Sequence, residues 1–497
     1  MTESTVEKIV PMSDSIFRSY DIRGIVDVTL TEETLSAIGQ AFGILAQEKG
    51  MTQVVVARDG RLSSPHLSQV LIQSLLKTGI TVLDIGLVPT PVLYFATYFL
   101  KTGTGMMLTG SHNPAEYNGL KMMLDGRTLL GSDIQTLKNR AQQFYKTHLR
   151  VTPAQAGVQS LVIPAQTASN IPSPASRGRV GVYHSLDVTP AYKARITQDV
   201  ALKRPLKVVI DGGNGAGSLL VPDVLAALGC QVIPLFCTID GRFPNHHPDP
   251  TNPHNLTALI QLVQETGADL GLALDGDGDR LGLVTEKGEI IWADRQLMLL
   301  AQDVLSRNPG ANIVFDVKCS RYLSTLIQQK GGRPIMAKTG HSFIKAKMKE
   351  THAVLAGEMS GHIFFQERWY GFDDACYAAA RILEILSQTN TPVSELFSAL
   401  PNGVNTPELH IAIAEDKKFP FIERLLQEGD FGEGVRVTID GLRVEYPYGW
   451  GLIRASNTTP NLVCRFEADT PAQLVALQQL FTAQIFKVDP SLYWSPV

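Results

Sequence analysis

One pattern recurs three times along the chain: a β-branched run ending in aspartate, a polar or Gly-rich loop, a segment of helical spacing, a glycine stop and a second apolar run. The copies read QVVVARDGRLSSPHLSQVLIQSLLKTGITVLDIG, LKVVIDGGNGAGSLLVPDVLAALGCQVIPLF and NIVFDVKCSRYLSTLIQQKGGRPIMAKTG. Asp59, Asp211 and Asp316 close the first strands, and Gly79, Gly229 and Gly331 stop the helical segments. Short continuous apolar strands alternating with amphipathic helices mark βαβ units and mostly parallel sheets. Three copies predict three related mixed-sheet α/β domains.

The C-terminal stretch follows another rule. VRVTIDGLRVEYPYGWGLIRASNTTPNLVCRFEA alternates apolar and polar residues with turn signals at DG and YG, which reads as antiparallel hairpins. TPAQLVALQQLFTAQIF is a helix, with Thr470 as N-cap and Pro471 at the first helical position. A smaller α+β domain therefore closes the chain. Residues 151–182 repeat VTPAQAG as VIPAQTA and are rich in Pro, Ala, Gln and Ser, the composition of an exposed linker or insertion without chemistry. The expected boundaries are 1–150, 183–290, 291–401 and 402–497 around that insertion, and 497 residues accommodate that many domains.

A net charge of −4 offers no basic field to nucleic acid, so any anionic ligand must be met by local Arg and Lys clusters. The five cysteines form no CxxC pair, which disfavours a disulfide framework or a zinc site and fits a reducing compartment. The N-terminus has neither a basic n-region nor an apolar h-region, and no uncharged apolar stretch approaches the ~20 residues that span a bilayer. A cytoplasmic address without membrane partners is expected.

Several short motifs could carry chemistry. In LTGSHNPAEYNGL, Ser111 and His112 stand side by side, but triad partners usually come from distant positions, and Gly, Ser, Asn and Pro also make ordinary turns. LGLALDGDGDRLGLVTEKGEI places Asp275, Asp277 and Asp279 at alternate positions after an apolar strand. Such a concentration of charge calls for a cation, and hard oxygen ligands suit Mg²⁺ or Ca²⁺. Arg280 occupies the sixth position, where an EF-hand needs glycine, and both flanks are strand-like, so Mg²⁺ is favoured; an acidic hairpin turn is the alternative. VIDGGNGAGS misses GxGxxG at Ser218 and reads as a tight strand-to-helix turn. In AGEMSGHIFFQERW, Glu358, Ser360 and His362 would share one face if extended and could hold a polyol, or they form a plain loop. Arg454, Ser456, Asn457 and Thr458 in GLIRASNTTPNLVCRFE suit a phosphate cradle or a β-turn equally. Tyr20 and Arg23 in IFRSYDIRGIVD, Lys318 in FDVKCS and His341 in AKTGHSFIK read singly as surface charges or turn residues.

Taken in order, FRSYDIRG, TGSHNP, DGDGDR, KTGHS, GEMSGH and RASNTTP resemble the α-D-phosphohexomutase superfamily, most closely its bacterial phosphomannomutase/phosphoglucomutase branch. The resemblance covers the chain except the insertion. It implies three α/β domains plus a smaller C-terminal α+β domain around a central cleft. It also implies interconversion of hexose 1- and 6-phosphates through a phosphoserine on Ser111 and a 1,6-bisphosphate, with glucose 1,6-bisphosphate as activator. Mg²⁺ would be held by Asp275, Asp277, Asp279 and a phosphoserine oxygen. Arg23 and Arg280 would stabilise the transferring group, with Lys121 and His362 as acid and base. Arg454, Ser456, Asn457 and Thr458 would grip the other phosphate, Glu358 and Ser360 the ring hydroxyls, and Tyr20, Lys318 and His341 further parts of the substrate. GEMSGH points to glucose and mannose phosphates, where GEQSGH would suggest a glucosamine phosphate mutase. The partners implied are small sugar phosphates, and the chain is expected to be a monomer or weak homo-oligomer. A phosphoglucosamine mutase is the alternative within the superfamily, and a phosphoserine-dependent phosphatase and a non-catalytic sugar-phosphate binder are the rivals outside it; a binder predicts loss of Ser111 or an aspartate, and all four are present.

Overall fold

A computed structural model describes residues 12–148, 181–457 and 459–492. Residues 151–180 of the expected insertion, and Thr458, lie outside them.

Each of the three repeats folds as a βαβ unit with its two strands paired in parallel. Gln53–Arg58 pairs with Thr81–Leu87, Lys207–Asp211 with Gln231–Leu235, and Asn312–Asp316 with Arg333–Ala337. The helices between them start on Ser64, Val221 and Arg321. Beyond their ends, Gly79, Gly229 and Gly331 take φ of 86°, 99° and 78°, a region in which Cβ is penalised. The first strand of each unit is flanked on its other side by a further parallel strand, Gly105–Leu108, Leu270–Leu274 or Leu355–Gly357. A hairpin then returns as an antiparallel strand, Tyr117–Leu124, Leu281–Thr285 or Ile363–Phe365. All three domains thus share one four-strand order, and the expectation of mixed-sheet α/β domains holds.

That shared hairpin positions the site. Its loop holds Ser111 in the first domain, Asp275–Arg280 in the second, and Glu358–His362 in the third. The short strand Tyr183–Ser185, just past the insertion, adds to the first sheet beside Thr81–Leu87.

One apolar cluster runs through all three α/β domains, from Val55 and Tyr94 through Tyr192 and Leu272 to Leu297 and Ala378, so the three share a core. The C-terminal domain has its own, with Leu425, Ile453, Phe466 and Phe481 between an antiparallel sheet and two helices. Thr470 caps the last helix as expected, its side chain accepting from Gln473 N–H at 3.3 Å. This domain docks on the third through Trp450 and Leu452 against Val317, and through Arg443, whose Nη1 donates to the carbonyls of Val317 and Cys319 at 2.7 and 2.8 Å. Among the described residues, no helix is long and apolar enough to cross a membrane.

Candidate active site

Ser111 is 2% exposed and sits at φ 49°, left-handed for a residue with a Cβ. Its loop is fixed by Asp59, whose Oδ2 accepts the Gly110 N–H at 3.1 Å, and by Thr109, whose Oγ1 accepts the Ser111 N–H at 2.8 Å. The Ser111 hydroxyl donates to Asp275 Oδ2 at 3.0 Å, and His112 Nδ1 lies 3.2 Å from it. The first two domains therefore meet at this serine. They meet so closely that a Cβ on Gly276 would stand 2.3 Å from the Ser111 carbonyl oxygen.

Asp275, Asp277 and Asp279 do form a hairpin turn, but all three are fully buried, which removes the reading as a solvated acidic turn. One oxygen from each lies within 4.8 Å of the others. Among the described residues, Asp277 Oδ1 has no hydrogen-bond partner, and Asp279 Oδ1 meets only the His362 ring, at 3.2 Å. Burial, then Asp277 and Asp279, push the Asp275 pKa well up; burial also raises Asp277, but Lys121 and Thr90 bring it down to about 2. Lys121 Nζ stands 2.7 Å from Asp277 Oδ2 and also contacts Asp279 Oδ2. An all-oxygen, charge-rich, partly unsatisfied pocket fits a hard divalent cation. The Gly-rich VIDGGNGAGS turn supports this loop from behind, the Ala216 N–H donating to the Gly276 carbonyl at 2.9 Å. It is the tight strand-to-helix connection expected, with Gly213 and Asn214 at φ 52° and 57°.

The third domain approaches from the other side. Glu358, Ser360 and His362 converge, but not along one face of a strand: Gly361, at φ 99°, folds a turn that brings Glu358 Oε2 to 3.3 Å and Ser360 Oγ to 3.1 Å from His362 Nδ1. His362 Nε2 faces Asp279 Oδ1 at 3.2 Å and Asp373 Oδ2 at 3.7 Å. Burial lowers its pKa, yet Asp279 and Glu358 outweigh burial and lift it to about 9. Asp316 fixes this loop as Asp59 fixes the serine loop, Oδ1 accepting the Met359 N–H at 3.1 Å.

The remaining sequence candidates close the ring. Tyr20 stacks edge-on against His341 at 4.9 Å, and among the described residues neither nitrogen of that buried histidine has a hydrogen-bond partner. Lys318 pairs with Glu408. Arg23 bonds Asp21 at 2.9 Å and Asn113 Oδ1 at 3.1 Å, and Arg280 lies 3.9 Å from Asp249 and 4.0 Å from Asp275. Arg454 donates from Nε to Asp440 Oδ2 at 2.8 Å, while its buried Nη2 lacks a partner among the described residues. Ser456 N–H bonds the Asn461 carbonyl at 2.9 Å, and Asn457 reaches Ser19 and the Thr339 carbonyl at 3.5 Å. Thr458 falls outside the described residues. Asp249, Asp373, Glu408 and Asp440 were not singled out from sequence, because an isolated carboxylate carries no spacing signal.

Family models for the phosphoglucomutase/phosphomannomutase alpha/beta/alpha domains I, II and III match residues 14–147, 190–288 and 292–403, and the model for their C-terminal domain matches 408–484. The chain belongs to the phosphoglucomutase/phosphomannomutase family. It is an isomerase, a hexose-phosphate mutase. A phosphomannomutase/phosphoglucomutase of Pseudomonas putida is 52% identical over 481 residues, 97% of each chain. A phosphoglucomutase of Neisseria gonorrhoeae is 48% identical over 481 residues, 96% of this chain and 98% of that one. A solved phosphoglucomutase/phosphomannomutase family protein from Burkholderia thailandensis superposes with a TM-score of 0.85 at 46% identity, covering 97% of this chain and 99% of its own. The family's four matched spans follow the four sheets, and each contributes to the ring of candidate residues.

Proposed function

We propose that this mutase interconverts the 1- and 6-phosphates of glucose and mannose through a phosphoserine at Ser111. The observation that carries this reading is the Ser111 hydroxyl bonded to Asp275 at the edge of three buried carboxylates. Mg²⁺, held by Asp275, Asp277, Asp279 and a phosphoserine oxygen, would neutralise charge on the transferring phosphoryl group. The rest falls to the chain's own residues.

A sugar hydroxyl attacks phosphorus, its proton passes to a base, the new P–O bond forms and the P–Oγ bond of Ser111 breaks, with Oγ taking a proton. His362 and Lys121, both buried among carboxylates that favour their protonated forms, are the acid and base of the two half-reactions. Arg23 and Arg280 stabilise the charge in flight. The product of the first half is a 1,6-bisphosphate, and glucose 1,6-bisphosphate serves as activator. It must turn over before its other phosphoryl group can return to Ser111. Arg454, Ser456, Asn457 and Thr458 hold whichever phosphate is not reacting, Glu358 and Ser360 hold ring hydroxyls, and Tyr20, Lys318 and His341 complete the substrate contacts. The names of the Pseudomonas and Neisseria relatives support glucose and mannose over glucosamine. A small-molecule substrate, a cytoplasmic address and a monomeric or weakly associating chain complete the reading.

Incubation with glucose 1,6-bisphosphate and Mg²⁺ tests it by intact mass. The wild type should gain one HPO₃ group and S111A none. Full mutase activity without any such gain would contradict it.

A further inference from the structure

Arg61 has no place in the chemistry above, yet it is 1% exposed and lies directly behind Ser111. Its guanidinium Nη2 donates to the carbonyls of Ser111 at 2.7 Å and Asn113 at 2.5 Å, and Nη1 to those of Pro114 at 2.5 Å and Tyr117 at 2.9 Å. Four carbonyls from one short loop turn inward onto one side chain. Buried carbonyls need partners, and among the described residues only that of Pro114 has a second one, the Tyr117 N–H at 3.0 Å, so without this group the same loop conformation would leave the Ser111, Asn113 and Tyr117 carbonyls unsatisfied.

The surroundings are built around that placement. Asp59 stands 3.2 Å from Arg61 Nε and uses its other oxygen for the backbone of Arg61 and the hydroxyl of Ser64. A Cβ on Gly110 would fall 2.3 Å from the guanidinium carbon, so this glycine in TGSHNP makes room for Arg61. From the second domain, Phe243 covers the guanidinium at 5.2 Å, and Gly241 packs so closely on residues 60–62 that a Cβ there would meet the Leu62 nitrogen at 2.6 Å.

We propose that Arg61 is the positioning residue that holds the Ser111 loop in its transfer geometry. This rests on Ser111 as the phosphoryl carrier. Arg61 touches only backbone in the loop and reaches Ser111 through its carbonyl, which the second domain's Gly276 also confines. Only a planar fork with several fixed donors can serve four carbonyls at once; a lysine offers one point of charge. Arg61 therefore sets where Oγ stands relative to Asp275, and an ångström of misplacement at a reacting atom can cost about a hundredfold in rate.

The test uses the full-length enzyme as R61M, R61K and G110A, with S111A alongside. The readouts are kcat, KM, thermal unfolding and the half-life of the phosphoserine without sugar, followed by intact mass. Expected are folded R61M and R61K enzymes with kcat lowered about a hundredfold, KM for glucose 1-phosphate within about threefold, and a shortened phosphoserine half-life. G110A, which displaces the guanidinium, should behave alike. Wild-type kcat in folded R61M or in G110A overturns the proposal, and so does failure of R61K to fold, which would make Arg61 a folding residue. The two readings separate cleanly. If the wild type gains HPO₃ and S111A does not, while R61M is unimpaired, only the role of Arg61 falls; if the wild type never gains it, the phosphoserine reading falls first.

Discussion

Gly276 leaves the site almost no slack. A methyl group there would stand 2.3 Å from the Ser111 carbonyl oxygen and would part the serine loop from the carboxylate loop. We expect G276A to lose about two orders of magnitude in kcat, since an ångström of separation suffices for that; unchanged steady-state kinetics would contradict so tight a contact. The neighbouring carboxylates make a second expectation. Chelation should abolish activity and Mg²⁺ restore it, and D277N should raise the half-saturating Mg²⁺ concentration by more than the roughly 10–100-fold seen when only a ligand's supporting partner is lost. Activity titration checks it, and an unshifted midpoint would remove Asp277 from the metal site. At this scale the sequence was readable where spacing carries chemistry, as in DGDGDR. It was mute for Asp373, Glu408 and Asp440, which reach His362, Lys318 and Arg454 from other turns and strands. At Glu358–His362 spacing left a shared strand face and a plain loop equally open, and a positive φ at Gly361 decides for the loop.

The elements that carry these residues are equivalent. The same strand-to-strand hairpin holds the serine, the carboxylates and the Glu358–His362 turn, and in two of the three domains the aspartate at the end of the first strand clamps it through a backbone N–H. Those aspartates were visible in the sequence as strand ends, but their reach to the neighbouring hairpin depends on sheet order, which periodicity does not supply. Asp374 illustrates a structural carboxylate beside the site. It caps the helix Ala375–Leu386 by accepting the Tyr377 N–H at 3.0 Å, and it accepts the Tyr192 hydroxyl at 2.8 Å. Burial raises its pKa from 3.8 to about 7. The neutral form is thus favoured by folding, so its contribution is fully present below about pH 4 and lost as pH rises through about 7. Urea midpoints of the wild type should fall relative to D374N across that window; parallel profiles would show that Asp374 is not buried neutral.

Across the whole molecule, the four domains enclose one ring of charge. The C-terminal domain enters it through Asp440, whose Oδ2 accepts both Arg454 Nε and the Thr339 N–H beside His341. That arrangement leaves Arg454 Nη2 without a partner among the described residues, and the proposed function assigns it to the substrate phosphate. R454A should raise KM for 1- and 6-phosphates alike by roughly 10–100-fold, the worth of one charge-assisted hydrogen bond, with a smaller change in kcat; an effect on one isomer only would contradict a grip shared by both orientations. The three-domain repeat and the antiparallel closing domain were legible because hydrophobic period and glycine stops are local. How the first and second domains interlock at Ser111 was not, since that contact joins residues 164 positions apart. Phosphorus NMR with Mg²⁺, mannose 1-phosphate and a trace of glucose 1,6-bisphosphate is the decisive check on phosphoryl exchange at Ser111. The 1-phosphate signal should give way to the 6-phosphate without inorganic phosphate, glucose 1-phosphate should behave alike, and S111A should convert neither. Release of inorganic phosphate, or turnover by S111A, would contradict it.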